Sequence, residues 1–188
     1  MFHCNMFREI ISRSFPLSVL LASALLLFSN CNKDDGLEPG FDMLYEQEFV
    51  IPPGINVFDL HSFRFDNIRS LYATQLGKQG LTDDDIKGIV TKRAAMIGVF
   101  NDADFSMMEE VSLRLYDGVD PTKFIEAAYR FPTPTTRSNN FDLIPSLADS
   151  KKYAAQDRFG MDVTFRIRNI PTQETRVRVS LELRALFK

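Results

Sequence analysis

Five arginines near the end of the chain, Arg166, Arg168, Arg176, Arg178 and Arg184, fall on the polar phase of two segments that alternate apolar and polar residues. A strand projects every second residue to the same side. If the two segments pair, the planar guanidinium groups share a surface that can grip carboxylates, sulfates or an acidic partner bidentately. Asp162 and Glu182 lie among them, and exposed arginines also pair with local acids for little gain in stability. Nucleophilic chemistry is thinly supplied. Past residue 3 the only histidine is His61, so a Ser–His–acid arrangement must pass through it. Glycoside hydrolysis needs only two carboxylates at the right separation. The densest acidic cluster, Asp83-Asp84-Asp85, follows Thr82 and reads as a helix start, where carboxylates meet the positive end of the dipole. Asn101-Asp102-Ala103-Asp104 with Glu109-Glu110 offers oxygen ligands, but Met107 stands where a calcium-loop glycine belongs and Leu113 where its bidentate glutamate belongs. No glycine-rich phosphate loop is present. These residues lead us to expect a non-enzymatic protein without metal or cofactor.

The elements that must position these residues are mostly strands. Met43 to Ile51 alternates and stops at Pro52-Pro53-Gly54. Ile55 to Ile68 is extended, with a bulge or break expected where Phe58 and Leu60 change phase. Arg69 to Lys78 has helical spacing and ends at Gly80. Ile89 to Phe100 reads as a strand with Val90, Ala94, Met96 and Phe100 inward and Thr91 and Arg93 outward. Phe105 to Tyr116 turns Val111, Leu113 and Leu115 inward. Phe124 to Phe131 does the same with Ile125, Ala127, Tyr129 and Phe131, leaving Glu126, Ala128 and Arg130 outside. After a loop at 132–140 and a short extended Phe141–Ile144, Ser146 to Asp149 reads as a capping box opening a helix to about Gln156. The last two segments alternate most strictly. Phe159, Met161, Val163, Phe165 and Ile167 share one phase. Across the turn at 169–174, Thr175, Val177, Val179, Leu181, Leu183, Ala185 and Phe187 share another. We expect an antiparallel hairpin with one buried face, within a mostly β fold: an antiparallel β-sandwich with short helices in its connections, or alternatively a partly open β-barrel.

Ahead of these strands the chain has a different character. Arg8 and Arg13 precede an apolar run from Phe15 to Phe28, 14 residues long. That length suits a signal-peptide core and falls short of the roughly 20 residues of a spanning helix. The run closes on Phe28-Ser29-Asn30-Cys31, which resembles a bacterial lipobox. Asn30 and Phe28 replace the usual small residue and leucine. Cys31-Asn32-Lys33-Asp34-Asp35 in turn resembles the export signal of surface lipoproteins in the Bacteroidota. The resemblance implies removal of residues 1–30 and acylation of Cys31 (the lipid class that includes palmitate). It implies that Lys33, Asp34 and Asp35 direct the protein to the outer leaflet of the outer membrane. Each buried CH₂ contributes about 0.8 kcal/mol, so two or three chains anchor durably where one does not.

Residues 31–42, with Gly36, Pro39 and Gly40, read as a flexible tether, and residues 43–188 as a single domain. The leader carries two of the 22 basic and one of the 25 acidic residues, leaving 20 against 24, a formal charge of −4. That balance implies no affinity for nucleic acid. With Cys4 removed, Cys31 has no thiol to pair with. Seventeen phenylalanines and no tryptophan point to a Phe-filled core. The sequence thus reads as a lipid-anchored, surface-exposed protein carrying a non-catalytic binding or structural module. Its partners would be membrane lipid through Cys31 and an outer-membrane protein or a glycan. The alternatives are a small carboxylate-dependent glycan hydrolase or an accessory subunit of an outer-membrane assembly.

Overall fold

Strict alternation along the chain becomes strands buried on one side. A computed structural model describes residues 39–100, 103–118 and 120–188. The strands are β1 (Pro39–Ile51), β2 (His61–Arg69), β3 (Ile86–Gly98), β4 (Met108–Asp117), β5 (Phe124–Arg130), β6 (Asn140–Pro145), β7 (Arg158–Ile167) and β8 (Thr175–Phe187). Two helices, α1 (Tyr72–Gln79) and α2 (Lys151–Ala154), lie in connections, as do 3₁₀ turns at Asp83–Asp85 and Phe105–Met107. All strand pairs are antiparallel, in the order β1-β8-β3-β6-β5-β4-β7-β2. The fold is mostly β, and the sheet curls into a nearly closed, barrel-like form. Its two halves meet where β6 passes from β3 to β5 at Ile144 and Pro145. The end strands β1 and β2 approach through side chains. The ring of Phe49 stacks on Phe63 at 4.6 Å between centroids, and Phe63 stacks on Phe165 at 5.8 Å.

The inward phases of β7 and β8 are those read from the sequence. Phe159, Met161, Val163, Phe165, Val177, Val179, Leu181, Leu183 and Ala185 are all fully buried. Their pairing is not. β8 lies between β1 and β3, and β7 between β4 and β2, so the expected hairpin does not form. Alternation fixes which side of a strand faces the core, and a strand in either half of a curled sheet satisfies that condition equally.

Bulges explain the other departures. In β3, Thr91 pairs with Leu183 and Arg93 with Glu182, leaving Lys92 as the extra residue. Ile89 and Thr91 therefore face inward before it and Ala94 and Met96 after it, while Val90 is half-buried and Phe100 is exposed. In β5, Ala128 pairs with Leu113 and Glu126 with Arg114, so Ala127 is extra. Ala128 becomes buried and Tyr129 turns outward, the reverse of the expected phase. β1 begins at Pro39, inside the expected tether, because Phe41 is buried and Asp42 bonds Arg184.

The helix expected over Arg69–Lys78 is α1. Gly80 ends it in the left-handed conformation (φ 67°), donating to Leu76 and Gly77 carbonyls. The turn after Thr82 stays a single 3₁₀ turn, with Thr82 and Asp85 forming a capping box. At the far end Ser146 caps no helix. α2 starts at Lys151, because Asp149 accepts from the Ile89 and Lys151 amides and pins the chain to β3.

Candidate functional site

The five arginines do not form one surface. Arg166 and Arg168 lie on β7, and Arg176, Arg178 and Arg184 on β8, in separate halves of the sheet. Each is already engaged. The β1–β8 register sets Asp42 opposite Arg184 and Glu48 opposite Arg178. Arg184 grips Asp42 with Nε and Nη2 at 2.7 and 3.0 Å, and Arg178 grips Glu48 at 3.1 and 2.7 Å. Lys92 bridges Asp42 and Glu182 at 2.7 Å each. These cations, Arg184 foremost, hold the Asp42 carboxyl down at about 2. Arg166 meets Glu110 at 3.4 Å, Arg168 donates to the Thr133 hydroxyl and carbonyl, and Arg176 lies over Phe100. The acids of β1 carried the signal that sequence reasoning missed: Asp42, Glu46 and Glu48 alternate with buried residues just as the arginines do.

The other candidates take structural places. Asp83 accepts from the Tyr72 hydroxyl at 2.6 Å and pairs with Lys151. Burial, and after it the Asp83 carboxylate, push the Tyr72 hydroxyl up, while the hydrogen bond from Tyr72 and then Lys151 hold the Asp83 carboxyl down. Asp85 belongs to the Thr82 cap. His61 donates Nε2–H to the Asn56 carbonyl at 2.8 Å. Asp104 accepts from the Ser106 amide at the start of its 3₁₀ turn, and Asn101 and Asp102 lie outside the described residues. Among the described residues no three His, Cys, Asp or Glu side chains are grouped to hold a metal ion, and no helix is long and apolar enough to cross a membrane. Residues 1–30, Cys31, Lys33, Asp34 and Asp35 lie outside the described residues.

The feature best suited to hold a ligand is a groove of about 220 Å³ on the outer face of β5, β4 and β7. The register lays the floor in rows. Tyr129, Ser112 and Thr164 stand side by side across the three strands, and Glu126, Arg114 and Asp162 form the next row. Ser112 donates to Glu126 at 2.7 Å, fixing that carboxylate. Arg114 lies over the ring of Phe124 at 4.6 Å, and its Nε is buried with no hydrogen-bond partner among the described residues. The walls are apolar and open to solvent: Phe131 is 61% exposed, Leu60 50% and Tyr129 40%.

Local turns hold those walls. Asn56 accepts from the amides of Phe58 and Asp59 at 2.9 Å each, an Asx-type turn that, with the His61 bond, presents Leu60. Two residues past Phe131, the Thr133 amide donates to Glu109 and its hydroxyl to the Met108 carbonyl at 2.6 Å. The third wall, Tyr129, is aimed outward by the Ala127 bulge. Large apolar side chains thus stay exposed around polar groups fixed by their neighbours. No protein-family model matches the chain, and no curated protein is similar to it in sequence.

Proposed function

We propose that this protein is a lipid-anchored lipoprotein of the outer membrane, exposed at the cell surface, whose domain is a non-catalytic binding module. The observation carrying the binding role is the groove, where Tyr129, Phe131 and Leu60 remain exposed around a floor of fixed polar groups. The address rests on the leader: an apolar run of signal-peptide length closing on Cys31, followed by Lys33-Asp34-Asp35. Glu110 is held by Arg166 and Glu126 by Ser112, so both groove carboxylates serve as oriented acceptors. The partners of this reading are membrane lipid at Cys31 and a glycan or outer-membrane protein at the groove.

The anchor is tested with Cys31→Ala. It should abolish incorporation of labelled palmitate and release the protein from membranes. Alanines at Lys33, Asp34 and Asp35 should keep the lipid but reduce labelling of whole cells by a membrane-impermeant reagent. Unchanged membrane association of the Cys31 variant would refute the anchor, and unchanged surface labelling of the triple variant would refute the address.

A further inference from the structure

The groove's chemistry narrows what it binds. We propose that it takes a neutral glycan, with sugar rings stacked on Tyr129 and Phe131 and hydroxyls bonded to Glu126, Ser112 and Arg130. The inference rests on the binding role proposed above and specifies its ligand.

Charge comes first. Glu110 is paired with Arg166, and Glu126 and Asp162 are balanced by Arg114 and Arg130, so the groove neither attracts nor repels a strongly charged ligand on net charge. A purely apolar ligand fits poorly, since it would cover the floor's polar groups without replacing their water. An extended peptide fits poorly for a topological reason. Strand-like peptides bind through free main-chain groups at a sheet edge, whereas the groove lies on the face of the sheet, where β4 is paired to β5 and β7, β7 to β4 and β2, and β5 at Tyr129 to β4 and β6. The face therefore offers side chains alone. A pyranose meets all three conditions: it is uncharged, one face of C–H groups packs on an aromatic ring, and its rim carries hydroxyls that donate and accept. The Glu126 carboxylate, held by Ser112, is an oriented acceptor for such a rim, and guanidinium groups are donors to it. The groove is shallow and open along the sheet face, a shape that admits units within a longer chain.

The test uses the mature protein, as purified from membranes, in detergent. Affinity electrophoresis is run through gels containing a neutral β-glucan, a mannan or a xylan, and, as the charged comparison, dextran sulfate. Retardation by at least one neutral glycan is expected. Tyr129→Ala and Phe131→Ala should each weaken it about tenfold or more. Arg178→Ala, in the other half of the sheet, should leave it unchanged. Phe131 stands in a loop and is the more exposed of the two, so its variant keeps the test decisive if Tyr129→Ala unfolds. Retardation by none of the three neutral glycans, retention of binding in both aromatic variants, or retardation by dextran sulfate alone would overturn the inference. Shortening of a bound glycan, seen as new reducing ends, would instead overturn the non-catalytic role while leaving the ligand class standing.

Discussion

Gly160 on β7 stands opposite Tyr116 on β4, and the tyrosine ring lies across it on the outer face of the sheet. A methyl group at residue 160 would overlap Cε2 and Cζ of that ring and stand 2.6 Å from Cε1. Tyr116 is nearly fully buried, and its hydroxyl donates to Asp66 at 2.6 Å. Burial, and after it that carboxylate, push the Tyr116 hydroxyl up. Gly160→Ala must displace the ring. The overlap costs about 1–3 kcal/mol, and loss of a hydrogen bond to a charged acceptor about 1.5–3 kcal/mol if the ring leaves Asp66. The loss of unfolded-chain freedom at residue 160 returns about 0.4–1 kcal/mol. We expect a net destabilisation of roughly 1.5–5.5 kcal/mol if the ring leaves Asp66 and no more than about 2.5 kcal/mol if it keeps that bond, read as a lower urea midpoint at unchanged slope. The same change in a Tyr116→Ala background meets no ring and should be neutral or stabilising by up to about 1 kcal/mol. The two substitutions should therefore couple strongly. An equal midpoint shift in both backgrounds would refute the reasoning, because the cost would then not arise from the ring.

Phase along β7 and β8 is checked by pairs of substitutions: Phe165→Ala and Val179→Ala, both fully buried, should each cost roughly 2–5 kcal/mol. Arg166→Ala and Arg178→Ala should cost no more than about 1 kcal/mol in the same urea titrations, since each removes a half-exposed ion pair. Acid stability should report Asp42. Its carboxyl falls from the ordinary 3.8 to about 2 in the folded protein, so its contribution is full above about pH 4 and fades as pH falls through 2. The shift would equal roughly 2.5 kcal/mol unscreened, and one-third exposure of the pair reduces that to about 1 kcal/mol. Asp42→Asn should be less stable than wild type by about that amount at pH 6, with the gap closing towards pH 2. A gap independent of pH would assign the effect to packing.

The parts of this fold legible in the sequence are those that depend on one strand or one helix at a time. The buried phases of β7 and β8, the helix ended by Gly80 and the cap at Thr82 follow from local spacing and chemistry. Strand partners do not, because β7 with β4 and β8 with β1 satisfy the same alternation as a hairpin would. The groove was hidden for a second reason. Ala127 is an ordinary small residue, and nothing in its neighbours marks it as the extra residue of a bulge. Reading through it without the bulge puts Tyr129 in the core. The arginines were legible as a phase but not as a site, since the counter-charges of Arg178 and Arg184 lie more than a hundred residues away on β1 and that of Arg166 lies on β4.

The interior is filled, and the groove on the outer face depends on irregularity. Leu113, Val163, Phe165 and Leu181, like most inward positions, are fully buried and belong to one continuous core, so a ligand has no route into the barrel between them. On the outer face of β1, β8 and β3 ion pairs neutralise one another around the exposed Leu44. On β5, β4 and β7 the concave, partly apolar site is made by an aromatic residue moved out of phase and a loop raised at the strand ends. The Ala127 bulge supplies the first in Tyr129, and the Thr133-tied loop supplies the second in Phe131. Bulges occur where a sheet must re-aim a side chain. The one in β5 does so beside Ser112, Glu126 and Arg114, the residues whose polar groups give the groove its neutral, hydrogen-bonding floor.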